Sequence, residues 1–226
     1  MFGWLKGSGG AAGLARMTRD LERMIQEGRH AFDAACSVLI GGADPESVRT
    51  DLYGTDLRID KLEQSIRRQI VVHGSVHGAA HMPELMVLMS VAKDAERVGD
   101  YAKNLFALSA HRTFHSGAPH HDNMKQMRHE TSALLADAPE LYETQDKERA
   151  QQFIDRASRI IDECEQRMIE IFALDACTGQ DAAAILAYRY IRRVGGHIQN
   201  VITAVVNPVD KLDFHDEPRM PDAPAG

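Results

Sequence analysis

Glu96-Arg97-Val98-Gly99-Asp100-Tyr101-Ala102-Lys103-Asn104-Leu105 returns later in the chain as Arg192-Arg193-Val194-Gly195-Gly196-His197-Ile198-Gln199-Asn200-Val201. Both stretches carry Arg-Val-Gly, and the small residue would let a neighbouring helix approach closely. Upstream of each lies a second matching pair, Ile59-Asp60-Lys61-Leu62-Glu63-Gln64 and Ile161-Asp162-Glu163-Cys164-Glu165-Gln166. Two matches in the same order indicate an internal duplication, so the chain reads as two related units.

Around these stretches apolar residues recur at three- and four-residue spacing, without the sustained alternation of strands, so the fold class is all-α: two tandem three-helix bundles. The first helix is expected from Leu14 to Ile40, with Leu21, Met24, Ile25, Phe32 and Leu39 on one stripe and a stop at Gly41-Gly42. Asp44 caps the second helix and Pro45 takes its first position. That helix carries Leu52, Leu57, Ile59, Leu62, Ile66 and Ile70 and weakens near Gly74 and Gly78. Pro83 opens the third. The second unit repeats the pattern with helices over 122–143, 146–176 and 181–206, stopped by Asn207-Pro208. The expected organisation is a flexible lead over 1–13, a first repeat over 14–115, a linker over 116–121, a second repeat over 122–207 and a tail over 208–226.

The 226 residues carry a net charge of -7 with both signs interleaved, so no basic stripe offers itself to nucleic acid or an anionic membrane. Cys36, Cys164 and Cys177 lack CxxC spacing and read as free thiols of a reducing compartment, which makes the cytoplasm the expected location. The Gly-rich run after Met1-Phe2-Gly3-Trp4-Leu5-Lys6 holds no signal-peptide core, and charges break every candidate membrane span. No phosphate-cradling loop ending in Gly-Lys-Ser/Thr, no Gly-x-Ser-x-Gly and no Cys-His arrangement points to catalysis.

The chemistry-bearing pattern is acidic. Asp56, Asp60 and Glu63 share one face of the second helix, and Glu96, Asp100 and Asn104 share one face of the third. Antiparallel packing of these helices would bring up to five carboxylates across one groove, where they repel strongly unless a cation neutralises them. Oxygen donors suit Mg²⁺, Mn²⁺, Ca²⁺ or iron. The same acids would also make ordinary solvated faces if paired with Arg58, Lys61, Arg97 and Lys103.

At these residues the sequence resembles the PhoU family, whose repeats carry an acid-x-x-x-Asp signature. Glu96-Arg97-Val98-Gly99-Asp100 followed by Asn104 matches the third-helix form, and Asp56-Leu57-Arg58-Ile59-Asp60 the second-helix form. The resemblance spans about residues 14 to 210. It implies a non-enzymatic cytoplasmic regulator of phosphate transport and phosphate-responsive signalling, docking on a phosphate transporter component or a sensor histidine kinase. Such a protein would sit at the inner membrane only through its partner, and a homodimer is an open assembly. The resemblance also implies a divalent or trivalent metal ion (iron, manganese, magnesium or zinc) on Asp56, Asp60, Glu63, Glu96 and Asp100, with Asn104 a weaker ligand. In the second half Ser158 stands at the position of Asp56, Arg192 at Glu96 and Gly196 at Asp100, leaving Asp162 and Glu165, so one metal site is expected. The rival reading is a carboxylate-bridged metalloenzyme, an oxidase or hydrolase, which needs an open coordination position and an acid-base group that the sequence does not supply.

Other clusters receive no site. His73, His77 and His81 lie at four-residue intervals, but Gly74, Gly78 and Pro83 suggest a solvated, interrupted helix end. His111, His115, His120 and His121 read as linker residues. Glu27-Gly28-Arg29-His30 is a single Glu-x-x-His with no second copy for a di-iron centre. Met82, Met86, Met89, Met124, Met127 and Met168 read as core.

Overall fold

Residues 9–212 are described by the structure, a computed structural model. Helix α1 spans Gly9–Leu39, so the lead expected to be flexible through residue 13 is helical from Gly9 on, and residues 1–8 of it lie outside the described region. The reason is steric. A Cβ on Gly10 would stand 2.5 Å from His81 Cε1, and one on Gly13 would stand 2.7 Å from His73 Nδ1. Glycines that read as flexibility are the condition for α1 to press against two imidazoles.

Helix α2, Pro45–His77, starts as its sequence dictates: the Asp44 carboxylate accepts from the Glu46 amide and Pro45 occupies the first turn. It does not weaken at Gly74 but runs to His77 and closes at Gly78, whose φ of 65° favours glycine. A 3-10 turn, Gly78–His81, leads into α3, Met82–Ser109. In the second half α4 spans His121–Thr144, α5 Lys147–Phe172 and α6 Gly179–Val206. Helix α5 ends at Phe172 rather than near 176, because the chain must turn into Thr178, whose side chain and Asp181 form a reciprocal capping box for α6. No strand occurs among the described residues.

Within the first bundle α1 packs on both α2 and α3; in the second, α6 packs on α5 and α4. The halves meet third helix to third helix, α3 on α6, and first to first, α1 on α4. This is the pseudo-twofold arrangement a duplicated chain adopts when equivalent surfaces pair. The α1 stripe of Leu21, Met24, Ile25, Phe32 and Leu39 is fully buried, as are Leu52, Ile59 and Ile66 of α2. Leu57, expected in the core, is 58% exposed, and Met82 and Met86 are also exposed, whereas Met124 and Met127 are buried. The chain between α3 and α4 is tied down just before the expected linker: Phe114 is buried, and its amide donates to Leu39 O at 2.8 Å.

Candidate functional site

Gly99 sets the geometry of the acidic groove. A Cβ at this position would lie 2.9 Å from Ile59 Cδ1, so the missing Cβ lets α3 lie close against α2 without displacing that side chain. Close approach brings the two acidic faces together, and Lys103 ties them: its Nζ lies 2.8 Å from Asp56 Oδ1 and 3.0 Å from Asp100 Oδ1. Burial alone would lower the Lys103 pKa, but Asp56 and Asp100 outweigh it and the net shift is upward. Burial pushes Asp100 up, and Lys103 and Arg97 overcome that, holding its carboxyl below the usual range. Glu96 moves the other way. Burial raises it foremost, and the neighbouring charges of Asp100 and Glu63 add to the rise against the opposing Lys93 ammonium, 2.6 Å away.

Glu63 is buried, with Arg67 2.6 Å from its Oε1 yet not aligned for a hydrogen bond. Asp60 is half-buried and has no ion pair among the described residues. Asn104 is exposed. The structure therefore joins Asp56, Asp100, Glu96 and Glu63 in one charged network with Asp60 beside it. Of the cations expected to pair with these acids, Arg97 and Lys103 do so, while Arg58 turns to Glu27 and Thr55. Sequence spacing missed Lys103 as the bridging group; its signal was its position one turn beyond Asp100 on the same acidic face.

Five carboxyl groups are the donor chemistry of a hard cation. No three His, Cys, Asp or Glu side chains among the described residues stand in a metal-ready array, however, and an ammonium already bridges Asp56 and Asp100. The residues fit a cation on one condition, that Lys103 withdraws.

The equivalent positions of the second half carry no such groove. Gln199 Nε2 donates to Ser158 Oγ at 2.7 Å where Lys103 bridges to Asp56, so an ion pair is replaced by a neutral hydrogen bond. Arg192 pairs with Glu165 at 3.1 Å where Glu96 and Glu63 face each other as like charges. In the second repeat these positions pair among themselves, although Arg192 Nε and Gln199 Oε1 are left without a hydrogen-bond partner. Glu27 and His30 likewise diverge, to Arg58 and Asp51, and do not form a centre. Burial pushes the Cys36 thiol up and raises Cys164 to about 12, so neither is a reactive thiolate.

The chain matches the PhoU domain family over residues 21–107 and 124–205, one match in each half. No curated protein matches it in sequence. Among solved structures it is similar to PhoU from Pseudomonas aeruginosa, with a TM-score of 0.68 and 17% identity over 86% of this chain and 96% of that one. It is also similar to the phosphate transport system regulatory protein PhoU from Streptococcus pneumoniae, with a TM-score of 0.69 and 15% identity over 85% of this chain and 95% of that one. At these identities the likeness is one of fold.

Proposed function

The chain belongs to the PhoU family, and from that premise we propose that it is a non-enzymatic regulator of phosphate transport and phosphate-responsive signalling. The observation that carries the reading is the family match in both repeats, in a fold shared with a phosphate transport system regulatory protein. It acts by docking on a phosphate transporter component or a sensor histidine kinase, from the cytoplasm and at the inner membrane only through that partner. No described helix is long and apolar enough to cross a membrane.

The groove between α2 and α3 is the regulatory element of the first repeat. Asp56, Asp60, Glu63, Glu96 and Asp100 would hold one metal ion, with iron, manganese, magnesium and zinc as candidates. When bound, the ion would neutralise like charges and cross-link the two helices. In its absence Lys103 performs the same neutralisation. The groove therefore has two charge-balanced states that differ in where the Lys103 side chain lies, and Leu57, exposed beside Asp56, gives a partner an apolar contact that senses the difference.

The test is deletion of the gene with a phosphate-starvation reporter and phosphate uptake as readouts, complemented by the wild-type chain or by Asp56→Asn/Asp100→Asn. Derepressed signalling or altered uptake, restored by the wild type, is the expected result. Normal uptake and normal reporter response after deletion would remove the proposal. Full complementation by the double variant would keep the regulator and remove the groove from its mechanism.

A further inference from the structure

The end of the first bundle opposite the α1–α2 connection gathers three imidazoles. His73 and His77 sit four residues apart on α2, and the 3-10 turn folds His81 back toward them. His73 Nε2 and His81 Nδ1 are 2.8 Å apart. Ring centroids are separated by 4.4 Å for His73–His77, 5.0 Å for His73–His81 and 5.9 Å for His77–His81. His73 is only 6% exposed, whereas His77 and the turn after it are exposed, so the helix end is solvated as expected except at His73. The helix continues through Gly74, and the glycines of α1, Gly10 and Gly13, give the rings of His81 and His73 their space.

We propose that His73, His77 and His81 form a binding site for a late transition-metal ion such as Zn²⁺ or Co²⁺, separate from the carboxylate groove and closing the end of the first bundle. Imidazoles bound through nitrogen at about 2.0–2.1 Å to one tetrahedral ion place their ring centroids roughly 5 Å apart and their nitrogens roughly 3.4 Å apart. The observed centroid separations bracket that value; His73 Nε2 and His81 Nδ1, which now face each other head-on in a hydrogen bond, must open by about 0.6 Å and both rings must turn to admit the ion. The two histidines at i and i+4 use the spacing by which a helix presents two imidazoles on one face.

The array is not metal-ready as it stands. His77 is exposed and must turn its ring toward the other two, and its freedom to do so is what the fold leaves open. Burial, with the neighbouring His77 and His81, lowers the pKa of His73 and keeps it in the unprotonated form a metal requires. Arg16 and Arg68 line the adjoining groove with Met17, Val72 and Val76. Their charge opposes a divalent ion, so the site favours metals that bind neutral imidazole strongly over Mg²⁺ or Ca²⁺.

The experiment is titration of the full-length, tag-free protein with Co²⁺, read by the visible absorption of the bound ion, beside three variants: Asp56→Asn/Asp100→Asn, His77→Gln, and His77→Gln/His81→Gln. The histidine variants avoid the buried His73 and keep the fold, checked by circular dichroism. Expected are one equivalent of Co²⁺ with intense tetrahedral bands in wild type and in the carboxylate variant, at least tenfold weaker binding in His77→Gln, and loss in the double histidine variant. Arg68→Gln should tighten binding severalfold. No Co²⁺ bound at micromolar concentration, or intense tetrahedral bands that survive both histidine substitutions, overturns the proposal. Binding lost only in the carboxylate variant also overturns it and assigns the ion to the groove.

Discussion

Lys103 is the residue on which the behaviour of the acidic groove turns. Its ammonium satisfies Asp56 and Asp100 at once, and its side chain is largely buried between them. Lys103→Gln should therefore destabilise the metal-free protein by about 1–2 kcal/mol, above the range of an exposed pair because two carboxylates lose one shared partner. The same substitution should raise Mn²⁺ affinity by about tenfold or more, since a cation no longer has to displace an ammonium. Thermal denaturation with and without Mn²⁺ checks both signs: the variant melts lower alone and gains more on adding metal. If neither protein shifts with Mn²⁺, the acids are an ion-paired face and no metal occupies them. The five carboxylates were legible because their helical spacing is a property of sequence. The bridge was not, because spacing along α3 does not say which residue of α2 stands opposite. Nor could it show that Ser158 and Gln199 answer Asp56 and Lys103 with a neutral bond.

At the scale of elements, helix starts were more legible than helix ends. Asp44-Pro45 announces α2, the expected starts at 146 and 181 lie within two residues of α5 and α6, and Asp44, Asp146 and Thr178 each make the cap bond their residue type favours. Asp146→Ala, which frees the amides of Glu148 and Arg149, should cost about 1 kcal/mol in chemical denaturation. The α1 start was misread because Gly10 and Gly13 carry meaning only against His81 and His73, distant in sequence. Asp181 couples a cap to pH. It takes hydrogen bonds from His120, from the Thr178 hydroxyl and from the Thr178 amide, and its pKa falls to about 2, the His120 bond being the largest cause. A depressed carboxyl contributes stability that is complete above its unfolded pKa of about 3.9 and is lost as pH falls through its folded value. Asp181→Asn should thus be less stable than wild type at pH 7, with the gap closing between about pH 4 and pH 2 in urea titrations. A gap that is constant with pH would assign the loss to shape rather than charge.

Across the whole molecule, duplication was readable but the surface that joins the halves was not. Tyr101 and His197 are equivalent positions of the repeat, as are Asp94 and Tyr190, and the pseudo-twofold passes between them: Tyr101 lies 6.0 Å from Tyr190 on one side, and His197 meets Asp94 on the other. No helical period distinguishes such residues from solvated ones. In the structure Asp94 and His197 are buried, with His197 Nδ1 2.8 Å from Asp94 Oδ1, Asn200 donating to the same oxygen at 3.1 Å, and Arg193 3.1 Å from His197 Nε2. A neutral imidazole that donates from Nδ1 and accepts at Nε2 satisfies every one of these groups. Arg193 also donates to Tyr101, so five side chains from α3 and α6 form one network. Removing its centre strands the rest. Asp94→Ala should cost about 2–4 kcal/mol, because His197 and Asn200 lose a charged acceptor away from water. His197→Ala should cost less, since Asp94 keeps Asn200. In a double-mutant cycle the pair should show a coupling of about 1–3 kcal/mol, well beyond additivity, measured by urea denaturation of the full chain. The same curves report on cooperativity: with the network intact the halves unfold in one transition, and in Asp94→Ala the transition should broaden as the bundles begin to melt separately. Additive single effects with an unchanged slope would mean that the apolar contacts of α3 with α6, together with the α1–α4 contact through Asp33 and Arg128, hold the halves together without it.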